Sequence, residues 1–354
     1  MVPLNQVVRD SIEQYSKAPY IDLKNPKLAR VTNNFIQSAV KVVNDTFKVY
    51  SKNRARTRRK LRRLIADWEG LQAEADAADV QLDQIIQKVD PARKRGTFLH
   101  FLTSWVYHHK TRFMLDWIWL GFETETFVPH EALMELWYGD CLHNAHIQNS
   151  NMVSFNITDP TGQLREKGFP QDVLPLSDLP FQSARQVLVR AILQTLCACK
   201  TEGLYTAPNF EFLDPKVHYH HRFAVFTRCA TPTTLTYEQF ITNVTFTQAQ
   251  VADLHSLAEA SLKISKNSIE RCLKSSSPAQ AHVQSCAADY AEELKAMARV
   301  CISNTLALKA IKTHSEALAK DPAGTPVKVL FLDFKYHPHF PVLSLVSPPK
   351  PRSQ

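Results

Sequence analysis

Apolar residues recur along much of this chain in alternating steps of three and four, the period of a helix that turns one stripe towards a partner. The clearest run is Leu61, Leu64, Trp68, Leu71, Ala75, Ala78, Leu82, Ile85 and Val89, which holds the rhythm through four heptads. It predicts a long helix over 52–89 with the seam of a coiled coil or bundle. At about 1.5 Å per residue such a helix spans roughly 50 Å. Ile36, Val40, Val43, Phe47 and Tyr50 predict another helix before it, starting near Leu28. Between the two, Ser51 to Asn53 reads either as the turn of a helical hairpin or as uninterrupted helix, because neither Gly nor Pro marks a break. Residues 1–27 read as a lead-in with a short helix near Val7–Tyr15.

Asp90-Pro91 stops the long helix, and Arg93-Lys94-Arg95 follows as a basic loop. Thr97 to Phe127 is apolar nearly all round, and a helix without a wet face belongs in a core. Pro129 suits the first turn of the next helix, through Leu133, Leu136 and Trp137. Pro160, Pro170, Pro175 and Pro180, with Gly162 and Gly168, predict a surface loop or hinge over 149–180. A helix resumes at Ser183–Glu202, and Phe210 to Pro232 reads as irregular or extended. Thr247–Leu273 and Pro278–Lys320 are predicted helices, opening with the capping-box pairs Thr247/Gln250 and Ser277/Gln280. The second repeats the seam at Val283, Ala287, Tyr290, Leu294, Met297 and Cys301. Val327–Phe334 reads as a strand or extended segment, and Pro348 onward as a loose tail. No repeat of fixed period is visible, although paired helices of this length can stack as a solenoid. The pattern adds up to an all-α, elongated helical scaffold of long antiparallel helices with a short extended C-terminal segment. Its regions are a lead-in (1–27), a long-helix hairpin with buried aromatic helices (28–148), the Pro-rich loop (149–180), a C-terminal helical region (181–346) and a tail (347–354).

Composition changes this picture little: 354 residues, 44% hydrophobic and 10% aromatic, describe a globular chain with ample core. Charge changes it more. The formal net charge of +8 is concentrated in Lys52, Arg54, Arg56, Arg58, Arg59, Lys60, Arg62 and Arg63, with no acid until Asp67. Arg54, Arg58 and Arg62 step by four while the others fill neighbouring faces, so the cluster wraps the helix. It is a candidate contact for phosphate backbones or another acidic partner; the plainer alternative is a solvated helix end or a face paired with acids of a neighbouring helix. Base reading is not expected, because no aromatic residues interleave the cations.

Several chemistries find no residues. The eight glycines never lie within five positions of one another, so no dinucleotide fingerprint, P-loop or acyl-CoA pyrophosphate loop can be assembled. His218, His220 and His221, with His337 and His339, are the one histidine-rich set. On an extended strand 218 and 220 would share a face and could hold zinc with a third ligand. No spaced Cys or acidic pair accompanies them, so structural or partner-contacting roles fit better. Cys197 and Cys199 point to different faces of a helix, and no nucleophile elbow is present. No catalytic, cofactor-binding or metal-ligating residues are expected. Seven scattered cysteines argue for free thiols in a reducing compartment. Met1–Tyr20, with Asp10 and Glu13, reads as neither signal nor transit peptide. Phe113–Phe122 is too short to span a bilayer, so a cytoplasmic chain without a membrane partner is expected.

Four stretches taken together are distinctive: the NRAR-x-R-x-KL start within 52–79, the aromatic block 105–138, the HRF-x-x-F core (His221, Arg222, Phe223, Phe226) within 210–240, and the closing FLDF and HPHFPV within 331–346. In this order they resemble the C-terminal half of the large auxiliary subunits of the NatC N-terminal acetyltransferase. The resemblance runs from about residue 28 onward. The family's N-terminal half, with its acidic lead and Met/Asp-rich motif, has no counterpart, and 147–180 lacks the lysine-rich insert of some members. The resemblance implies a helical scaffold that holds a GNAT-type catalytic subunit and a small Sm-like subunit and helps dock them on ribosomes. The complex would acetylate nascent chains beginning with Met and a bulky apolar residue, with acetyl-CoA bound by the catalytic partner and no cofactor on this chain. It would make the basic cluster a contact for ribosomal RNA, and His221, Arg222, Phe223 and Phe226 a partner-contact or structural motif. The alternative is a stand-alone RNA- or ribosome-binding helical adaptor.

Overall fold

The computed structural model describes residues 3–16, 25–89, 101–157, 174–205, 214–274 and 284–348. Within them the fold is all-α: ten α-helices and one two-stranded antiparallel ribbon. The helices are α1 (Leu4–Ser16), α2 (Pro26–Tyr50), α3 (Arg54–Val89), α4 (Phe101–Glu123), α5 (Ala132–Ile157), α6 (Leu174–Thr201), α7 (Pro215–Phe223), α8 (Tyr237–Val244), α9 (Val251–Lys274) and α10 (Gln284–Lys320); the strands are β1 (Val329–Asp333) and β2 (Val342–Val346). No described helix is long and apolar enough to cross a membrane. Two compact units divide the chain: Met1–Leu120, Leu142–Leu179 and Phe223–Thr234 form the first, and Gly121–Cys141, Pro180–Arg222 and Leu235–Gln354 the second.

In the first unit, local caps decide the hairpin that spacing left open. Asn25 accepts from the amides of Lys27 and Leu28, with Pro26 at the first helical position of α2. Asn53 accepts from Arg56 N at 3.0 Å and starts α3. Ser51 to Asn53 is therefore a turn, and α2 and α3 run antiparallel. Thr57 Oγ1 donates to Val49 O at 3.1 Å, and the Trp68 indole N–H donates to Thr46 Oγ1 at 3.1 Å. The α3 seam is buried from Leu61 to Leu82, and Ile85 is half-buried. Against it lies α4, whose Trp105 and Phe113 sit 5.4 and 5.3 Å from the Trp68 ring. The Trp105 N–H reaches Ser11 of α1 at 3.1 Å, and Asn149 of α5 donates to Tyr15 Oη at 2.7 Å. Trp68, Trp105 and Tyr15 thus each have their polar atom satisfied inside the core.

The second unit is built on the antiparallel pair α9 and α10. Ser265 Oγ donates to Ala184 O of α6 at 2.9 Å and lies 3.6 Å from Cys301 Sγ; Lys312 pairs with Glu259 at 2.6 Å. The ribbon lies against α10 in the register Val329↔Val346 to Asp333↔Val342. Asn304, buried in α10, donates to Pro341 O at 3.0 Å and accepts from Leu343 N at 2.8 Å, which fixes the approach of β2.

Several expectations are corrected. The span 149–180 is not one loop: α5 continues to Ile157 and α6 begins at Leu174. Pro175 falls in the first turn of α6, where its missing N–H costs nothing, and Pro180 lies inside the helix. Within Phe210–Pro232, Pro215–Phe223 is helical. Asp214 accepts from Lys216 N and Val217 N at 2.7 and 3.4 Å, an N-cap followed by proline that was present in the sequence. The Thr247/Gln250 pair forms half of a box, Gln250 Oε1 accepting from Thr247 N at 2.9 Å. The Asp90-Pro91 stop, the Arg93–Arg95 loop, the Ser277/Gln280 pair and most of the tail lie outside the described residues.

Asp79 shows how α4 is started from another helix. Its carboxylate, fully buried on α3, accepts from Thr103 N at 2.9 Å and Leu102 N at 3.3 Å, two of the unpaired amides at the α4 N-terminus. Burial pushes its pKa up to about 7, although these donors pull it down. The folded chain therefore holds the proton more tightly than the unfolded one, whose Asp titrates near about 3.9. The resulting stabilisation is full below about pH 4 and is lost as pH rises to about 7. Asp79→Asn, which cannot ionise, is expected to flatten this segment of the stability–pH curve in thermal denaturation between pH 4 and 8. Asp79→Ala, which removes the cap, is expected to cost about 1–2 kcal/mol.

Candidate docking surface and the motif behind it

The first turns of α3 carry the cationic cluster, and the structure sorts it. Lys52, Arg54, Arg56, Arg59, Lys60, Arg62 and Arg63 are exposed. Arg58 is not part of the outer set: its guanidinium lies 4.2 Å from the centre of the Trp117 ring, and its Nε donates to Trp117 O at 3.2 Å. Arg63, well exposed, approaches the half-buried Asp67 at 3.8 Å, a contact worth little at a surface. Arg56, Arg59 and Arg63 follow one another at i, i+3 and i+7 along one edge of the helix.

Behind Arg58 the aromatic contacts continue. Trp117 meets Phe226 edge-on at 5.4 Å, and Phe226 stacks on Phe223 at 6.3 Å. The segment that carries these phenylalanines is clamped by a buried charge. Lys110 of α4, fully buried, pairs with Glu69 of α3 at 2.5 Å and reaches Thr231 Oγ1 at 3.2 Å. The other Glu69 oxygen accepts from Ala230 N at 2.8 Å.

In the second unit Arg222 turns inward to Glu131. Its Nε and Nη2 donate to the two carboxylate oxygens at 2.6 and 2.9 Å. His218 Nε2 lies 2.6 Å from the same carboxylate, which also accepts from Val128 N at 2.9 Å. Arg222 further sits 5.6 Å from the centre of the Phe127 ring. The Glu131 side chain is 1% exposed, so all of its hydrogen bonds come from protein. Of the motif residues, Phe223 and Phe226 are buried, Arg222 is half-buried, and His221 alone is exposed, beside His220.

The histidines do not gather. Because α7 is a helix, His218 and His220 point to different faces. His339 Nε2 lies 2.6 Å from Glu123, and His337 lies 3.9 Å from Glu293, where Arg185 also approaches at 3.6 Å. Among the described residues no group of three or more His, Cys, Asp or Glu could hold a metal ion. Six described cysteines are free thiols. Burial pushes Cys197 up to about 12 and Cys229 and Cys301 to about 11, so none of these three is an activated nucleophile.

A family model described as NAA35-like, TPR repeats, matches residues 2–343. The chain belongs to that family. The chicken (Gallus gallus) protein described as N-alpha-acetyltransferase 35, NatC auxiliary subunit, is 25% identical over 363 aligned residues, covering 97% of this chain and 47% of the relative. The human (Homo sapiens) protein of the same description is 26% identical over 253 residues, covering 67% of this chain and 34% of its own. This chain thus spans about half, or less, of the curated relatives it matches. Among solved structures, a chain of the crystal structure of the NatC complex bound to Gag peptide and CoA superposes with a TM-score of 0.75 at 16% identity, over 98% of this chain and 51% of that one. The apo NatC complex gives 0.74. These likenesses show that the fold is shared.

In this NAA35-like chain, spacing placed Trp117 in the buried apolar helix but did not reveal Glu69, Lys110 or Glu131. Glu131 follows Pro129 at a helix start, where an acid ordinarily serves the first turn in water. Its burial arises from α7, which lies far along the sequence. Arg222→Ala leaves that carboxylate without its bidentate partner and is expected to cost about 3–5 kcal/mol, read as a lowered thermal midpoint. Arg222→Lys, with one point donor in place of the fork, is expected to fall between. The pair Arg222→Met with Glu131→Gln is expected to recover much of the loss. Equal midpoints for Arg222→Ala and the wild type would rule out a structural role.

Proposed function

We propose that this chain is the non-catalytic scaffold part of a NatC auxiliary subunit. It holds a GNAT-type catalytic subunit together with a small Sm-like subunit and docks them at the ribosome. There the complex acetylates nascent chains that begin with Met followed by a bulky apolar residue, in the cytoplasm. The observation that carries this reading is the family match over residues 2–343. Two features agree with it. The sequence lacks every glycine loop that would cradle a nucleotide-bearing cofactor, which suits a subunit whose partner binds acetyl-CoA. The exposed cations at the start of α3 supply a sequence-independent attraction for ribosomal RNA phosphates, while Arg58 holds that end of the helix to Trp117.

A second reading, an adaptor that binds RNA or ribosomes without an enzyme, rests on the same exposed cations. Both are tested by purifying the tagged chain from cytosol of its own source and identifying stoichiometric partners by mass spectrometry. The proposal expects a GNAT-type acetyltransferase and an Sm-like protein, together with ribosomes that dissociate as salt is raised. Charge reversal at Arg59, Arg62 and Arg63 is expected to remove the ribosomes and retain the two subunits. Recovery of ribosomes alone would select the adaptor; recovery of neither the acetyltransferase nor ribosomes would overturn both readings.

A further inference from the structure

Among the described residues, one side of α10 from Leu294 onward is covered and the other is exposed. Leu294, Met297, Val300, Cys301, Asn304, Leu308 and Ile311 are buried. On the opposite side Lys295, Arg299, Ile302, Leu306, Lys309 and Thr313 follow one another in steps of four and three, and all six are exposed. They form a stripe of about 27 Å along the helix. At its centre Ile302 and Leu306 are 48% and 63% exposed, a pair of large apolar side chains one turn apart. On the stripe itself the charges next to them are both cationic, Arg299 and Lys309, and the exposed acids Glu292 and Glu316 stand only beyond its ends. From Leu294 to Ser315 the sequence contains Lys295, Arg299, Lys309 and Lys312 and no Asp or Glu. Lys312 is engaged by Glu259 and Lys295 by Glu292. Among the described residues Arg299 and Lys309 make no ion pair within 4 Å, and the nearest acids acting on them are Glu292 and Glu259 respectively.

We propose that this stripe is a docking seam for an amphipathic helix of another chain, apolar at its centre and acidic at its ends. Steps of three and four are what a second helix needs to seat its side chains between those of the first. The charges then select the occupant. A second copy of α10 packed antiparallel over Ile302 and Leu306 would place Arg299 against the copy's Lys309 at both ends, because the two cations are equidistant from the centre of the apolar pair. A parallel copy would set each cation against itself. Like charges reject both arrangements, and an acidic helix satisfies both ends at once.

The test uses the full chain and two labelled three-heptad peptides, one with Leu at a and d and Glu at e and g, the other with Lys in place of Glu. Fluorescence anisotropy is expected to show the acidic peptide binding about tenfold or more tightly than the basic one at low salt, with the gap narrowing at high salt. Ile302→Ser with Leu306→Ser is expected to weaken the acidic peptide about tenfold while the helical circular dichroism signal stays unchanged. Arg299→Glu with Lys309→Glu is expected to reverse the preference between peptides. Equal binding of the two peptides, or acidic-peptide binding that ignores the Ile302/Leu306 change, would overturn the seam. So would a dimer of the chain in analytical ultracentrifugation that the Ile302/Leu306 change dissociates, since the stripe would then be a self-interface.

Discussion

A helix of 36 residues with an apolar seam along one side cannot stand in water alone; its seam must be covered along its length. That requirement organises the first unit. Leu61, Leu64, Trp68, Leu71, Ala75, Ala78 and Leu82 are all buried, and α2 and α4 both pack against this helix. At roughly 1.5–3 kcal/mol for each large side chain removed from water, the seam is the main reason α3 has a fixed place. The seam begins at Leu61, and the helix before it has no apolar stripe to hide. That first part is where the cations stand, so one helix is both buried beam and exposed arm.

Apolar seams bring helices together without choosing their register, because neighbouring turns look alike to a hydrophobic surface. Buried polar groups make the choice. Asp79 receives the first amides of α4, and Glu69 with Lys110 receives the backbone at Ala230 and the hydroxyl of Thr231. In the second unit Glu131 gathers Arg222, His218 and Val128 N, and Asn304 brackets β2. A slip of one turn at any of these points would strand a buried charge or amide, at a cost larger than the apolar contacts could return. The HRF-x-x-F motif is therefore chiefly internal: Arg222, Phe223 and Phe226 are fasteners, with His221 left at the surface.

The same division suits a scaffold. Polar side chains with strong internal partners are committed to holding helices, and among the groups facing water are a set of cations on α3 and an apolar pair flanked by two cations on α10. Neither set carries a nucleophile or an acid–base pair. They are surfaces for recognition, one electrostatic and one mixed.

The sequence by itself determined most of the long helices and which stripe of each is apolar, because the period of three and four residues is local and needs no partner to be read; the short α7 and α8 carry too little of that period to be read from it. It determined the family as well, since the motifs 52–79, 105–138, 210–240 and 331–346 survive as contiguous strings. It also held the Asn25, Asn53 and Asp214 caps, whose side chains stand directly before the helices they start. What only the tertiary structure decided is the fate of individual polar residues. Arg58 and Arg59 are neighbours in the chain with the same chemistry, yet one lies against Trp117 and the other faces solvent. Nothing in the local pattern marks Glu69, Lys110 or Glu131, and they are internal clamps. Burial of a charge depends on which distant segment arrives with the matching donor, and that pairing is set by packing across scores of residues, where no local period reaches.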